Sequence, residues 1–154
     1  SGLIDVAPKG DPAGSWQVID QHTIAIPDRP GNNRAEPFQN ILDNPRAGLM
    51  FLIPNRREVV RVSGGASLTR EPALLQSMAV NGKTPSLAII VHVEEAMFHC
   101  GKAIVRSNLW QPDNWDSIEG LPTYGQALVD HGKLGIEIDQ LDHGLKEHEE
   151  TTLY

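Results

Sequence analysis

Between Ile26 and Phe51 the chain reads IPDRPGNNRAEPFQNILDNPRAGLMF. Ile26-Pro27 closes an apolar, β-branched run, and Pro30-Gly31 makes a tight turn. Phe38, Ile41 and Leu42 then recur at helical spacing in a segment that begins near Ala35 and stops at Asn44-Pro45. RAGLMFLIP follows as a continuous apolar run of strand length. Strand, turn, helix and strand thus succeed one another without a long loop. Within the turn, Arg29, Asn32, Asn33 and Arg34 fall in six residues directly before the helix. Helix N-termini carry unpaired N–H groups and a partial positive charge, and arginine forks match phosphate oxygens. On spacing alone the turn is either an anion site or a solvated loop with an asparagine N-cap. Arg46, past the Asn-Pro stop, reads as a surface residue.

Upstream, LIDVAP (residues 3–8) reads as a short strand ended by Pro8 and the turn KGDPAG. WQVID and HTIAIP form a hairpin around Asp20-Gln21, without the glycine such turns favour. Downstream, REVVRVSGGASLT alternates as a strand with a glycine bend or bulge, and PALLQSMAV is helical up to Asn81-Gly82. SLAIIVHVEEAMFHC is a long β-rich run, after which Ala103, Ile104 and Leu109 keep helical spacing. Residues 124–154 alternate acidic and apolar positions, as one or two amphipathic helices on the surface or at a subunit contact would. Five or six strands with a few short helices make a mainly β protein with a small barrel. The start on Leu3-Ile4-Asp5-Val6, already strand-like, suggests an upstream piece of the fold.

The 154 residues fit a single domain. With 40% hydrophobic and 21% charged residues the chain is of folded, globular type. A net charge of −7 argues against general nucleic-acid binding, which draws affinity from a basic surface. Cys100 is the one cysteine, so no internal disulfide forms. The apolar runs fall well short of the roughly 20 residues of a membrane helix, and no signal peptide is visible. The expectation is a cytoplasmic protein that does not enter a membrane.

Other chemistry is thinner. Lys9, alone beside a turn, reads as a surface lysine. In HCGKAIVRSNLW, a helix would put His99, Lys102 and Arg106 on one face, as a second cationic wall beside Trp110 or as a solvated face. A zinc site from His92, His99 and Cys100 is disfavoured, because His92 and His99 are seven apart and point to opposite faces of a regular strand. Cys100 has no readable catalytic partner, and SGGAS is better explained by a strand bend than by phosphate binding.

Five segments in order, DVAPKGDPAG, AIPDRPGNNR, NILDNPRAGLMFLIP, EVVRVSGGASL and HCGKAIVRSNLW, resemble the pyridoxamine 5′-phosphate oxidase-like FMN-binding split β-barrels. The resemblance covers about the first 110 residues and lies with an oxidase-related branch more than with the true pyridoxamine phosphate oxidases. It implies a six-stranded split barrel over about residues 1–110, a helical extension over about 111–154, and a homodimer with FMN between subunits. Carried over residue by residue, it assigns the FMN phosphate to Lys9, Arg29, Asn33 and Arg34. The backbone of Val6, Ala7, Ile26 and Pro27 would lie along the flavin ring. Lys102, Arg106, Ser107 and Trp110 would stand near the flavin from the partner subunit. No metal is implied, and no catalytic side chain is assigned. The implied activity is that of an oxidoreductase working through flavin N5 on a small substrate. A non-catalytic carrier of FMN, the deazaflavin F420 or haem is the alternative. The vitamin B6 reaction itself is not implied, since the tail lacks the substrate-recognition pattern of the true oxidases.

Overall fold

The computed structural model describes residues 5–31 and 34–154. The chain divides into two compact units, Ser1–Pro112 together with Tyr154, and Asp113–Leu153.

The first unit is an antiparallel sheet of five strands among the described residues: β1 (Gln17–Asp20), β2 (Thr23–Pro27), β3 (Arg46–Phe51), β4 (Val59–Thr69) and β5 (Ala88–His99). Their spatial order is β1-β2-β5-β4-β3. Short helices α1 (Glu36–Asp43), α2 (Pro72–Ser77) and α3 (Lys102–Arg106) join or follow the strands. The expected sixth strand is not among the described residues. Asp5–Pro8 lies outside every strand, Val6 is 86% exposed, and its N–H donates to the carboxylate of neighbouring Asp5 at 2.9 Å. Pro8 has no N–H to give. Leu3 and Ile4 lie outside the described residues. The edge strands β1 and β3 do not pair with each other, so this sheet is open and not a closed barrel.

Period-two alternation explains why both faces of the sheet are covered. Ile26, Ala66, Ile89 and Val91 face one core with Ile41 of α1, against which Trp16, Phe38 and Leu49 pack. Their neighbours Ala25 and Ala88 face the other, with Leu75 of α2 and Met78. Leu42, expected on the apolar stripe of α1, is 67% exposed; Phe38 and Ile41 alone carry the helix onto the sheet.

The hairpin between β1 and β2 turns without glycine because Asp20 takes its place. Its carboxylate accepts the His22 N–H at 2.7 Å, an Asx turn that holds the acid below the usual range. Helix α2 ends at Ser77, earlier than the sequence suggests. Asn81 and Gly82, both at positive φ, form a two-residue turn bridging Val80 and Lys83.

The glycine irregularity in β4 is a bulge against β5. Ser63 pairs with Glu95 and Gly64 with Val93, so Glu94 is the extra residue. A Cβ on Gly64 would sit 1.9 Å from the His92 carbonyl oxygen, so only glycine fits there. The bulge also resets strand parity. His92 and His99 pair with Gly65 and Val59, which are an even number apart, so both return to one face. They remain about 20 Å apart along the strand, too far to share an ion.

The second unit contains α4 (Tyr124–Gly132) and α5 (Ile138–Thr151). Thr123 caps α4 through the Gln126 N–H at 3.0 Å, and the Asp142 carboxylate accepts the Gly125 N–H at 2.7 Å. Lys133 ends α4 in the left-handed region. No helix among the described residues is long and apolar enough to cross a membrane.

Candidate functional site

A cleft of about 1100 Å³ opens where β2 ends at Pro27. The Asp28 N–H bonds the Leu87 carbonyl at 2.9 Å, which fixes the exit of the chain toward Arg29. Three further segments close the site: Asp5–Asp11, the start of α1 from Arg34 to Phe38, and Lys83–Ser86, with Tyr154 beside them. The N-terminus of α1 is capped by Ala35, which offers no side-chain acceptor. Its first N–H groups are nevertheless engaged: Glu36 bonds its own carboxylate, Pro37 has none, and Phe38 donates to the Ala35 carbonyl at 3.1 Å, so the helix end lends the cleft only its dipole.

The lining carries four cations, Lys9, Arg29, Arg34 and Lys83, against three carboxylates, Asp5, Asp11 and Asp28. In a chain of net charge −7 this is a local positive excess. Lys9 reaches Asp28 at 3.3 Å and stands 5.6 Å from the centre of the Phe38 ring, within cation–π range. Arg29 is more deeply engaged. Its Nε donates to both oxygens of Asp11 at 3.1 and 3.2 Å, and its Nη2 to the Met78 carbonyl at 2.8 Å. Both partners are largely buried, with side-chain exposures of 12% and 3%. Arg34 lies 3.3 Å from Glu36 in a well-exposed pair. The Glu36 carboxyl is held below the usual range first by its own backbone N–H and then by Arg34. Apolar surface in the lining comes from Val6, Ala7, Pro27 and Phe38.

Of the residues singled out in the sequence, the structure gathers Val6, Ala7, Lys9, Pro27, Arg29 and Arg34 around this cleft. Ile26, expected to contribute its backbone, is not among the residues lining the cleft, and its side chain is 1% exposed in the sheet core. Asn33 lies outside the described residues, as does Asn32. Lys102, Arg106, Ser107 and Trp110 follow β5 at its far end. Pro27 pairs with Ala88 at the start of that 12-residue strand, so its other end is roughly 35 Å away. There the Trp110 indole donates to the Arg56 carbonyl at 2.7 Å. Trp110 also lines a smaller hollow of about 470 Å³ with Arg57, Ile104 and Val105. In one chain the two groups of residues do not meet.

Sequence reasoning missed Asp11, Asp28 and Phe38, the partners of Arg29 and Lys9, and the segment from Lys83 to Ser86. Asp11 sits in a turn motif that explains itself locally. Only the fold brings it to Arg29, 18 residues on.

A family model described as pyridoxamine 5′-phosphate oxidase matches residues 6–100. Among solved structures the chain is similar to HupZ of Group A Streptococcus, with 22% identity and a TM-score of 0.45 over 55% of this chain and 68% of that one. A variant of HupZ with a histidine replaced by alanine gives the same identity and TM-score over 55% and 73% of the two chains. Among curated proteins there is no match.

Proposed function

The chain belongs to the pyridoxamine 5′-phosphate oxidase family, and from that premise we propose that it is an FMN-binding oxidoreductase acting on a small substrate. The observation that carries this reading is the convergence of Lys9, Arg29 and Arg34 on one cleft beside the start of α1. Cationic side chains suit a phosphate, and the volume, slightly above the ~300–1,000 Å³ usual for ligand pockets, leaves room for one. Val6, Ala7, Pro27 and Phe38 supply the apolar wall that a flat ring needs.

Bound FMN would supply hydride or electron transfer through its ring, and the protein would supply binding and positioning. Lys9 and Arg34 hold the phosphate. Arg29, tied to Asp11 and the Met78 carbonyl, braces the turn between them and offers its remaining donors. The apolar wall keeps water from the ring.

A homodimer completes the reading. Lys102, Arg106, Ser107 and Trp110 reach a flavin only if a second copy brings the far end of its β5 to this cleft. Exposed Met50, Met97, Phe98 and Val105 at that end, 44–70% accessible, suit a subunit contact.

The phosphate claim is tested by comparing FMN with riboflavin, which lacks the phosphate. FMN should bind at least about tenfold more tightly, the worth of one charge-assisted hydrogen bond. Lys9→Ala and Arg34→Ala should each weaken FMN and leave riboflavin unchanged. Equal affinities for the two flavins would overturn the assignment.

A further inference from the structure

We infer that Tyr154 is a displaceable occupant of the cleft and that Lys83 is a ligand-binding cation which it masks. The inference rests on the reading of this cleft as an anion site. Lys9, Arg29 and Arg34 each have a carboxylate at 3.1–3.3 Å. Lys83 differs: its ammonium donates to the main-chain oxygen of Tyr154. The Tyr154 ring in turn lies 5.6 Å from the Arg29 guanidinium carbon. One residue therefore presents an oxygen to one cleft cation and an aromatic face to another. Those are the two kinds of contact that a ligand combining an anionic group with a flat ring would make, so Tyr154 and such a ligand compete for the same groups.

Lys83 is suited to the task by its backbone. Its N–H and C=O are both paired with Val80, at 2.9 and 3.1 Å, across the Asn81-Gly82 turn. The turn holds the base of the side chain still while its ammonium stays at the cleft. When the ligand enters, the Tyr154 oxygen leaves Lys83 and the ring leaves Arg29. Apparent affinity is then reduced by the fraction of molecules in which Tyr154 is in place.

The test uses the full chain labelled with 3-fluorotyrosine. The chain has two tyrosines, so Tyr124→Phe leaves Tyr154 as the single fluorine signal. Without ligand that signal should stand away from the position of free fluorotyrosine. Lys83→Gln and saturating FMN should each move it there. In titrations, Tyr154→Ala should tighten FMN binding about three- to tenfold, as expected if Tyr154 occupies the cleft most of the time. Lys83→Gln should weaken FMN, and adding Tyr154→Ala to it should change affinity by less than about twofold. A Tyr154 signal at the free position in the ligand-free protein, or weaker FMN binding by Tyr154→Ala, would overturn the inference. If FMN fails to bind but inorganic phosphate still moves the Tyr154 signal, the FMN reading fails and the masking of an anion site stands.

Discussion

Arg29 was picked out in the sequence as a phosphate ligand, and at the scale of the residue it is first a strut. Two of its nitrogens are committed to Asp11 and to the Met78 carbonyl, which ties the 5–11 segment and the end of α2 to the turn after β2. Asp11→Ala strips one partner from a largely buried pair. Such losses cost roughly 3–5 kcal/mol, and about 3 kcal/mol is expected here because Arg29 can turn into the cleft. Urea denaturation of the variant checks this; stability within a few tenths of wild type would contradict a structural role. The cationic turn was legible because its residues are neighbours in sequence. Its counter-charges were not, because a carboxylate in KGDPAG finds its arginine only through the fold. Ile26 shows the converse. Its place at a strand end was readable, but which face of β2 entered the core depended on pairing with Ile89.

Elements were legible wherever local chemistry was unambiguous. The proline and asparagine signals around α1, the long β-rich run of β5 and the glycine bulge of β4 all follow from side-chain type. Helix α2 was overread because the apolar spacing of PALLQSMAV continues past Ser77, while Asn81-Gly82 turns the chain sooner. Arg46 is the surface residue expected, with its side chain 54% exposed, and it makes a bidentate pair with Glu94 at 2.6 and 2.7 Å. Glu94 is the residue the bulge pushes out of register. Arg46 pairs with Gly65 on β4, so the contact crosses the glycine pair and links β3 to β5. Arg46 holds the Glu94 carboxyl below the usual glutamate range. A depressed acid stabilises the fold fully above its ordinary range, and that contribution is lost as pH falls through the depressed value. Thermal melts should therefore show wild type above Glu94→Gln by a constant margin near neutral pH, with the margin closing in acid. A margin independent of pH would exclude the ion pair as its source.

For the whole molecule, net charge was a blunt guide. Ten carboxylates and two lysines fall in residues 113–153, leaving the sheet-bearing unit with one net positive charge. An acidic total thus concealed a cleft rich in cations, and the average over the chain described neither unit. Family membership was legible because several motifs occur in a fixed order. The meeting of Lys9 with Arg29 and Arg34 was not readable from spacing, because it depends on how β2, α1 and the 5–11 segment converge. Arg106 and Trp110, at the far end of β5, stand apart from this cleft within one chain, and any part for them in it belongs to the proposed dimer. The most direct measurement for the central claim is the absorption spectrum of the freshly purified full chain after saturation with FMN and removal of excess, with the released cofactor identified by mass. A retained yellow flavin spectrum with the mass of FMN is the expected result. A colourless protein that retains no FMN, or a haem Soret band in its place, would contradict it.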